Sequence, residues 1–326
     1  MASRRSRCYS GIQSPALVRR LVAQVLGCPM HQIEVEVPRL GGAFGGKEEQ
    51  ATAWAALAAL AAHHLHRPVK LALRRGEDMR MTGKRHPYSA DFRLGVSASG
   101  RLLAYDVHFY QDAGAVADLS PAVLERSMCH ATGGYFIPNV RITAASCRTH
   151  LPPNTACRGF GTPQAVFIIE SAIDEAAHAL GVAPGEIQRL NLLQEGDHFP
   201  YGMQVRHCRL RRCWEEAERL FDLERKRAAV HAFNATETRH KKGLALLPLC
   251  FGISFSQTLL NQASALVHIY IDGSVSVSTG AVELGQGVRR KLQQLVAGLF
   301  ALRPERIKVE PTNTVRIANM SPTAAR

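Results

Sequence analysis

Leu17, Val18, Leu21, Val22, Val25 and Leu26 recur at the helical period, behind Ser14-Pro15 and ahead of Gly27. That places Ser14 as N-cap, Pro15 at the first helical position and Gly27 just past the end. Ile33, Val35 and Val37 then alternate with Glu34 and Glu36, the period of a strand. A turn containing Gly41, Gly42, Gly45 and Gly46 follows, and an Ala-rich run from Ala51 to Ala62 reads as a core helix. Helix, strand, glycine turn, helix is the first unit.

Val69 to Leu73 predicts a strand, and Asp91 to Asp112 two strands around a turn at 97–100. A less regular section holds Glu125-Arg126. A second glycine turn, Arg158-Gly159-Phe160-Gly161, feeds a helix to Leu180 with Gly181 as stop, and Pro184 opens another to about Glu195. One helix is predicted between Trp214 and Asn234, with Glu215 and Glu216 in its first turn. Beyond the polar stretch Asn234 to Lys242 the pattern turns β: Leu266–Tyr270 and Val275–Ser278 flank Asp272-Gly273, a hairpin signal. A third glycine turn, Glu283-Leu284-Gly285-Gln286-Gly287, precedes a helix over 288–302, a stop at Pro304 and a strand at Ile307 and Val309. This last piece echoes 15–37, as a distant internal repeat would. The expectation is an α+β chain of two mixed α/β subdomains, 1–233 and 234–326, the second incomplete.

Composition narrows the function classes. At 326 residues and 46% hydrophobic the chain can bury a large core, and no apolar run reaches the roughly 20 residues of a membrane helix. The basic start, Met1 to Arg7, has no apolar stretch behind it, so no secretory signal is expected. Eight cysteines without a C-x-x-C pair favour free thiols and a cytoplasmic setting. The net charge of +13 raises nucleic acid as a partner, but the basic residues are scattered and lack interleaved aromatics. Anionic substrates, or a surface covered by other subunits, explain the charge equally well.

Glycine permits positive φ and close backbone approach, and a glycine turn opening a helix offers N–H groups to an anion. Three such turns can converge on one elongated anionic ligand. Gly41 to Gly46 fits neither the Walker pattern nor the G-x-G-x-x-G fingerprint. Taken singly, Glu48 and Glu49 read as carboxylates at a helix start, Arg126 as a surface charge, Phe160, Phe251 and Phe255 as core aromatics, and Gln13 as a loop residue.

Taken together, in order, these stretches resemble the molybdenum hydroxylases, specifically the molybdopterin-binding subunit of the xanthine dehydrogenase family. The carriers are Gln13-Ser14-Pro15, Gly41 to Glu48, Glu125-Arg126, Asn154 to Gly161, Phe251 to Phe255, Leu260 to Ala263, Leu284 to Gly287 and Ser321 to Ala325.

The resemblance implies a molybdenum–molybdopterin cofactor and hydroxylation of hypoxanthine to xanthine and xanthine to urate, with oxygen from water. Gln13, Phe44, Arg158 and Ala325 would lie at the metal. Gly41, Gly42, Phe44, Gly45, Gly285, Gln286, Gly287 and Ala324 would hold the cofactor. Glu48 and Arg126 would flank the purine, Phe160 and Phe255 would sandwich it, and Ser256 would add a hydroxyl. It further implies 2Fe-2S clusters, FAD and NAD on a partner iron–sulfur/FAD subunit, in a homodimer of heterodimers.

The family's general base, a Glu in a Gly-Glu motif, has no counterpart up to Arg326, so no catalytic residue is assigned and this chain alone is expected to be inactive. Glu283 belongs to the third glycine turn and does not take that role. Arg326 stands where a small residue is usual, and Cys250 where Lys is. A chain truncated in this way is expected to leave unpaired sheet edges in its second part. Two readings follow: a catalytic subunit that needs a companion chain, or a non-catalytic remnant of one.

Overall fold

The computed structural model describes residues 6–38, 40–318 and 320–324. The first layer is a sheet of β1 (Ser6–Tyr9), β2 (Ile33–Val37) and a strand from the far end of the chain, β9 (Thr312–Asn313), in the order β1-β2-β9. β1 runs parallel to β2, and β9 antiparallel to it. Helix α1 (Pro15–Leu26) packs on β2 and on α2 (Thr52–Leu65). Ile12, Val18, Val22, Val35 and Val37 form this core with Val282 and Leu284, so the C-terminal part closes the N-terminal layer.

α1 has its predicted bounds, and Gly27 adopts a left-handed conformation from which its N–H returns to the helix end. Ser14 occupies the N-cap position but its side chain makes no capping bond. The helix expected to be core, α2, buries only Thr52 and Ala55. Alanine side chains cover little area, and its outer face lines a groove with β1 and residues 67–73. Val69 to Leu73 is irregular rather than a strand, with no sheet partner among the described residues. A short helix, α3 (Arg75–Met81), follows.

The second layer is a sheet in the order β3 (Tyr88–Val96), β4 (Leu102–Gly114), β5 (Asn139–Arg148), with β4 antiparallel to β3 and parallel to β5. Helices α4 (Ser120–Cys129) and α5 (Thr162–Leu180) pack against it. Tyr105, Val107 and Phe109 from β4 meet Ile169, Ala172 and Ile173 from α5 in the largest core. The section expected to be irregular therefore holds both α4 and β5, and Val140, Ile142 and Ala144 carry the strand period there. Short α6 (Pro184–Leu190) stops before the predicted Glu195.

The single helix expected from Trp214 is two, α7 (Leu210–Leu220) and α8 (Leu223–Thr236), broken at Asp222 with φ +47°. Glu215 and Glu216 thus sit within α7, and Glu216 pairs with Arg212 at 2.8 Å.

The third sheet is β6 (Ala265–Ile269), β7 (Val275–Thr279) and β8 (Ile307–Val309), with α9 (Val288–Phe300) over it. The hairpin is where the Asp-Gly signal puts it, with Gly273 at φ +77°. β6 is an outer strand, and Leu266, Val267 and Ile269 are exposed. α9, a single 3-10 turn and β8 repeat the succession of α1, a 3-10 turn and β2.

Candidate functional site

Gln13 lies between β1 and α1 and is fully buried. Its Oε1 accepts from Gly45 N–H (2.9 Å) and Lys47 N–H (3.3 Å), while Nε2 donates to Thr323 O (2.6 Å). One side chain thereby anchors the first glycine turn and the end of the described chain. Gly45 has φ +106°, and a Cβ there would stand 2.9 Å from the Ala156 carbonyl carbon. Only glycine lets this turn press against 154–158. That approach brings Phe44 beside Arg158, whose guanidinium lies 5.2 Å from the Phe44 ring centroid.

The two turns meet α4 at one pocket. Its lining includes Phe44, Gly45, Glu48, Arg126, Arg158, Phe160, Phe255 and Ala324, with Cys157, Gly159 and Phe251. Glu48 is 3% exposed and Arg126 5%. Phe160 holds a left-handed backbone, φ +49°, between Gly159 and Gly161, which turns its ring toward Arg126, 6.0 Å away. Arg126 donates to the carbonyls of Gly252 and Ser254, and stacks 5.7 Å from Phe251. Burial lowers its pKa, with Cys129, Glu125 and Tyr201 acting the other way. The guanidinium has five donors, so three remain for other partners. The free volume among these side chains is about 30 Å³, room for water rather than for a ring. A planar heterocycle needs more room than this closed lining leaves.

Larger hollows lie elsewhere. A groove of about 1500 Å³ runs between β1, α2 and residues 67–73, and shares no lining residue with the pocket. Chemistry, rather than size, singles out the smaller site: it alone of these two joins aromatic rings, a buried carboxylate and a buried guanidinium.

The third glycine turn touches the first, since a Cβ on Gly285 would lie 3.8 Å from Phe44 Cζ. Glu283 accepts from the N–H groups of Gly285 (2.9 Å), Gly287 (3.0 Å) and Arg289 (3.1 Å), closing the start of α9. Burial raises its pKa, and these three bonds together with the Arg289 charge outweigh that and lower it. Gln286 folds onto its own turn: Oε1 accepts from Leu284 N–H and Nε2 donates to Val282 O.

Other residues singled out in the sequence lie outside the pocket lining. Ser256 is exposed and donates to Glu125 Oε2 at 3.1 Å. Gly41 and Gly42, at φ +72° and +97°, and Gly287, at φ +73°, have open space where a Cβ would stand. Ala325 and Arg326 lie outside the described residues. The pocket lining joins glycine backbone at Gly45 and Gly159 to aromatic faces and the exposed guanidinium of Arg158, a set of groups that suits a flat anionic group such as a molybdopterin.

Sequence reasoning named Phe251 as a motif residue and a core aromatic, not as part of the site, and passed over His130. His130 ends α4, and its role depends on a segment more than a hundred positions away; no local signal marks it.

The family described as molybdopterin cofactor-binding domain matches residues 1–192, and a second family of the same description matches 216–326. Xanthine dehydrogenase of Oryza sativa subsp. japonica is 41% identical over 316 residues, covering 97% of this chain and 23% of that protein. Xanthine dehydrogenase/oxidase of Felis catus is 40% identical over 317 residues, covering 97% and 24%. The chain thus spans about a quarter of the length of these curated relatives. Among solved structures, quinoline 2-oxidoreductase from Pseudomonas putida 86 superposes with a TM-score of 0.80 at 24% identity, over 96% of this chain and 42% of that one. Aldehyde oxidoreductase from Desulfovibrio gigas gives 0.78 at 23%, over 97% and 34%; at these identities the likeness is one of fold. With both matched regions meeting at one pocket, the chain belongs to the molybdopterin cofactor-binding domain family.

Proposed function

We propose that this chain is the part of a molybdenum hydroxylase that holds the molybdenum–pterin group and presents a purine to it, in the oxidation of hypoxanthine and xanthine to urate. The observation that carries this reading is the convergence of Glu48, Arg126, Phe160 and Phe255, from four separated segments, on one pocket beside the first glycine turn. When bound, the molybdenum–pterin group supplies two-electron oxidation with oxygen taken from water.

The chain's own residues bind and orient. Phe160 and Phe255 offer faces to a planar ring, while Glu48 and Arg126 fix its heteroatoms. Arg126 also stabilises negative charge that develops on the ring. Gly41, Gly42, Gly45, Gly285 and Gly287 admit the pterin to the backbone, with Phe44, Gln286 and Ala324 around it. Gln13 sets the turn from behind, and Arg158 completes the metal side. We assign the iron–sulfur, FAD and NAD chemistry to a partner subunit in a cytoplasmic purine-degrading assembly, and place the domain boundary at 233/234.

The test is metal analysis and hypoxanthine titration of the chain purified from a host that makes the cofactor. Molybdenum near one equivalent, and binding lost in Arg126→Met, support the reading; a folded protein with neither refutes it. A second reading, a non-catalytic relative, draws on the small free volume and on the engagement of Gln13 with backbone groups. It requires that hypoxanthine fail to bind.

A further inference from the structure

We infer that His130 is a positioning residue of this pocket, a neutral imidazole that staples the strap 250–256 to the end of α4 and so sets Phe251 and Arg126. The inference rests on the purine reading for its consequence, and on hydrogen-bond chemistry for its cause.

His130 sits at the C-terminal cap of α4, half-buried. Its Nδ1 is 2.8 Å from Arg126 O, and a carbonyl only accepts, so Nδ1 carries the proton. Its Nε2 is 3.0 Å from Gly252 N, and an amide N–H only donates, so Nε2 carries none. One tautomer of the neutral ring satisfies both partners; imidazolium satisfies only the first. A histidine that merely closed the helix would need the Nδ1 bond alone. The second bond reaches a strap that is itself neither helix nor strand.

On this side α4 also holds the strap at Ser256, which donates to Glu125 Oε2 at 3.1 Å. Gly252 O and Ser254 O accept from Arg126, and the Phe251 ring lies 5.6 Å from His130. A Cβ on Gly252 would come within 3.5 Å of Arg126 Nη1 and 3.6 Å of His130 Cε1, so the three groups are in contact. The imidazole therefore fixes the strap from the α4 side while Arg126 grips it from the pocket side. Releasing Gly252 N–H frees the carbonyls that orient Arg126, and lets Phe251 leave its place in the lining.

The charged and ionisable groups around this staple are Glu125, Arg126 and Cys129 on α4, Cys250 on the strap, and Tyr201. Burial lowers the His130 pKa, as does the Arg126 charge, against its bond to the Arg126 carbonyl. Acid that protonates the ring turns Nε2 from acceptor to donor and opposes it to Gly252 N–H.

Three measurements on the full chain decide the matter. In ¹⁵N spectra of the parent protein the His130 nitrogens should show the Nδ1–H tautomer; an Nε2–H tautomer overturns the proposal outright. Amide exchange at Gly252 should quicken by roughly tenfold in His130→Leu, while His130→Gln, which keeps a donor and an acceptor, should stay within about threefold of the parent. Hypoxanthine affinity should follow the same order, and should weaken toward acid in the parent but not in His130→Gln. The Gln variant leaves the other ionisable groups in place, so an acid effect that persists in it belongs to them and overturns the assignment. If no form binds hypoxanthine, the purine reading fails, and the tautomer and exchange results still judge the staple.

Discussion

Gln13 and Thr323, 310 positions apart, are joined in both directions: Gln13 Nε2 donates to Thr323 O at 2.6 Å, and Thr323 N–H donates to Gln13 O at 3.0 Å. The same amide accepts from Gly45 and Lys47. Gln13→Ala leaves these buried groups without a partner, at a cost of about 2–4 kcal/mol. A urea midpoint unchanged from the parent would show that the amide holds nothing together. Gln13→Glu should be worse near neutrality than in acid, because its carboxylate faces the Thr323 carbonyl until it takes a proton.

Gly45→Ala adds a methyl against the Ala156 carbonyl carbon, in a backbone conformation that L side chains rarely adopt. The expected loss is about 2–3 kcal/mol, read as a lower thermal midpoint, together with loss of the Phe44–Arg158 contact. Gly27→Ala shares the positive φ but meets nothing within 4 Å, so it should cost less. Equal losses at the two sites would rule out the clash as the cause.

His86 gives the fold an acid limit. Burial lowers its pKa to about 4 from 6.5, against the pull of Asp118 and Asp112, and its Nε2 is 2.8 Å from Ser120 Oγ. Between those values the unfolded chain binds a proton that the folded one does not. The contribution is therefore complete above 6.5 and is lost as pH falls toward 4. His86→Gln should flatten the change in urea midpoint over that window. Parallel pH curves for parent and variant would contradict this.

On the third sheet, Ile269 is 64% exposed on outer strand β6. Ile269→Lys should lower light scattering at high protein concentration while changing stability by no more than about 0.5 kcal/mol. Unchanged scattering would point to another surface, such as the α2 groove.

What the sequence made legible was whatever depends on near neighbours. α1 with Gly27, the Asp272-Gly273 hairpin and α5 with Gly181 are written in periodicity and in glycine placement. The pocket residues were legible only jointly, because Arg126 or Phe160 alone reads as an ordinary charge or core ring. Val69 to Leu73 has the strand pattern without a partner strand, and no local signal reveals that. Asp222 broke a helix through a left-handed residue that the apolar period does not record. His130 stayed hidden because both of its bonds are to backbone, one of them on a strap that folding alone brings near.

The pairing of β9 with β2 has a consequence for synthesis. Val35 N–H donates to Thr314 Oγ1 across 279 positions, and Asn313 reaches Glu34 and Glu36. A ribosome must therefore release everything from Ser6 to Asn313 before the opening layer gains β9. Until then the edge of β2 waits bare, and a holdase acting on the nascent chain would find its target there.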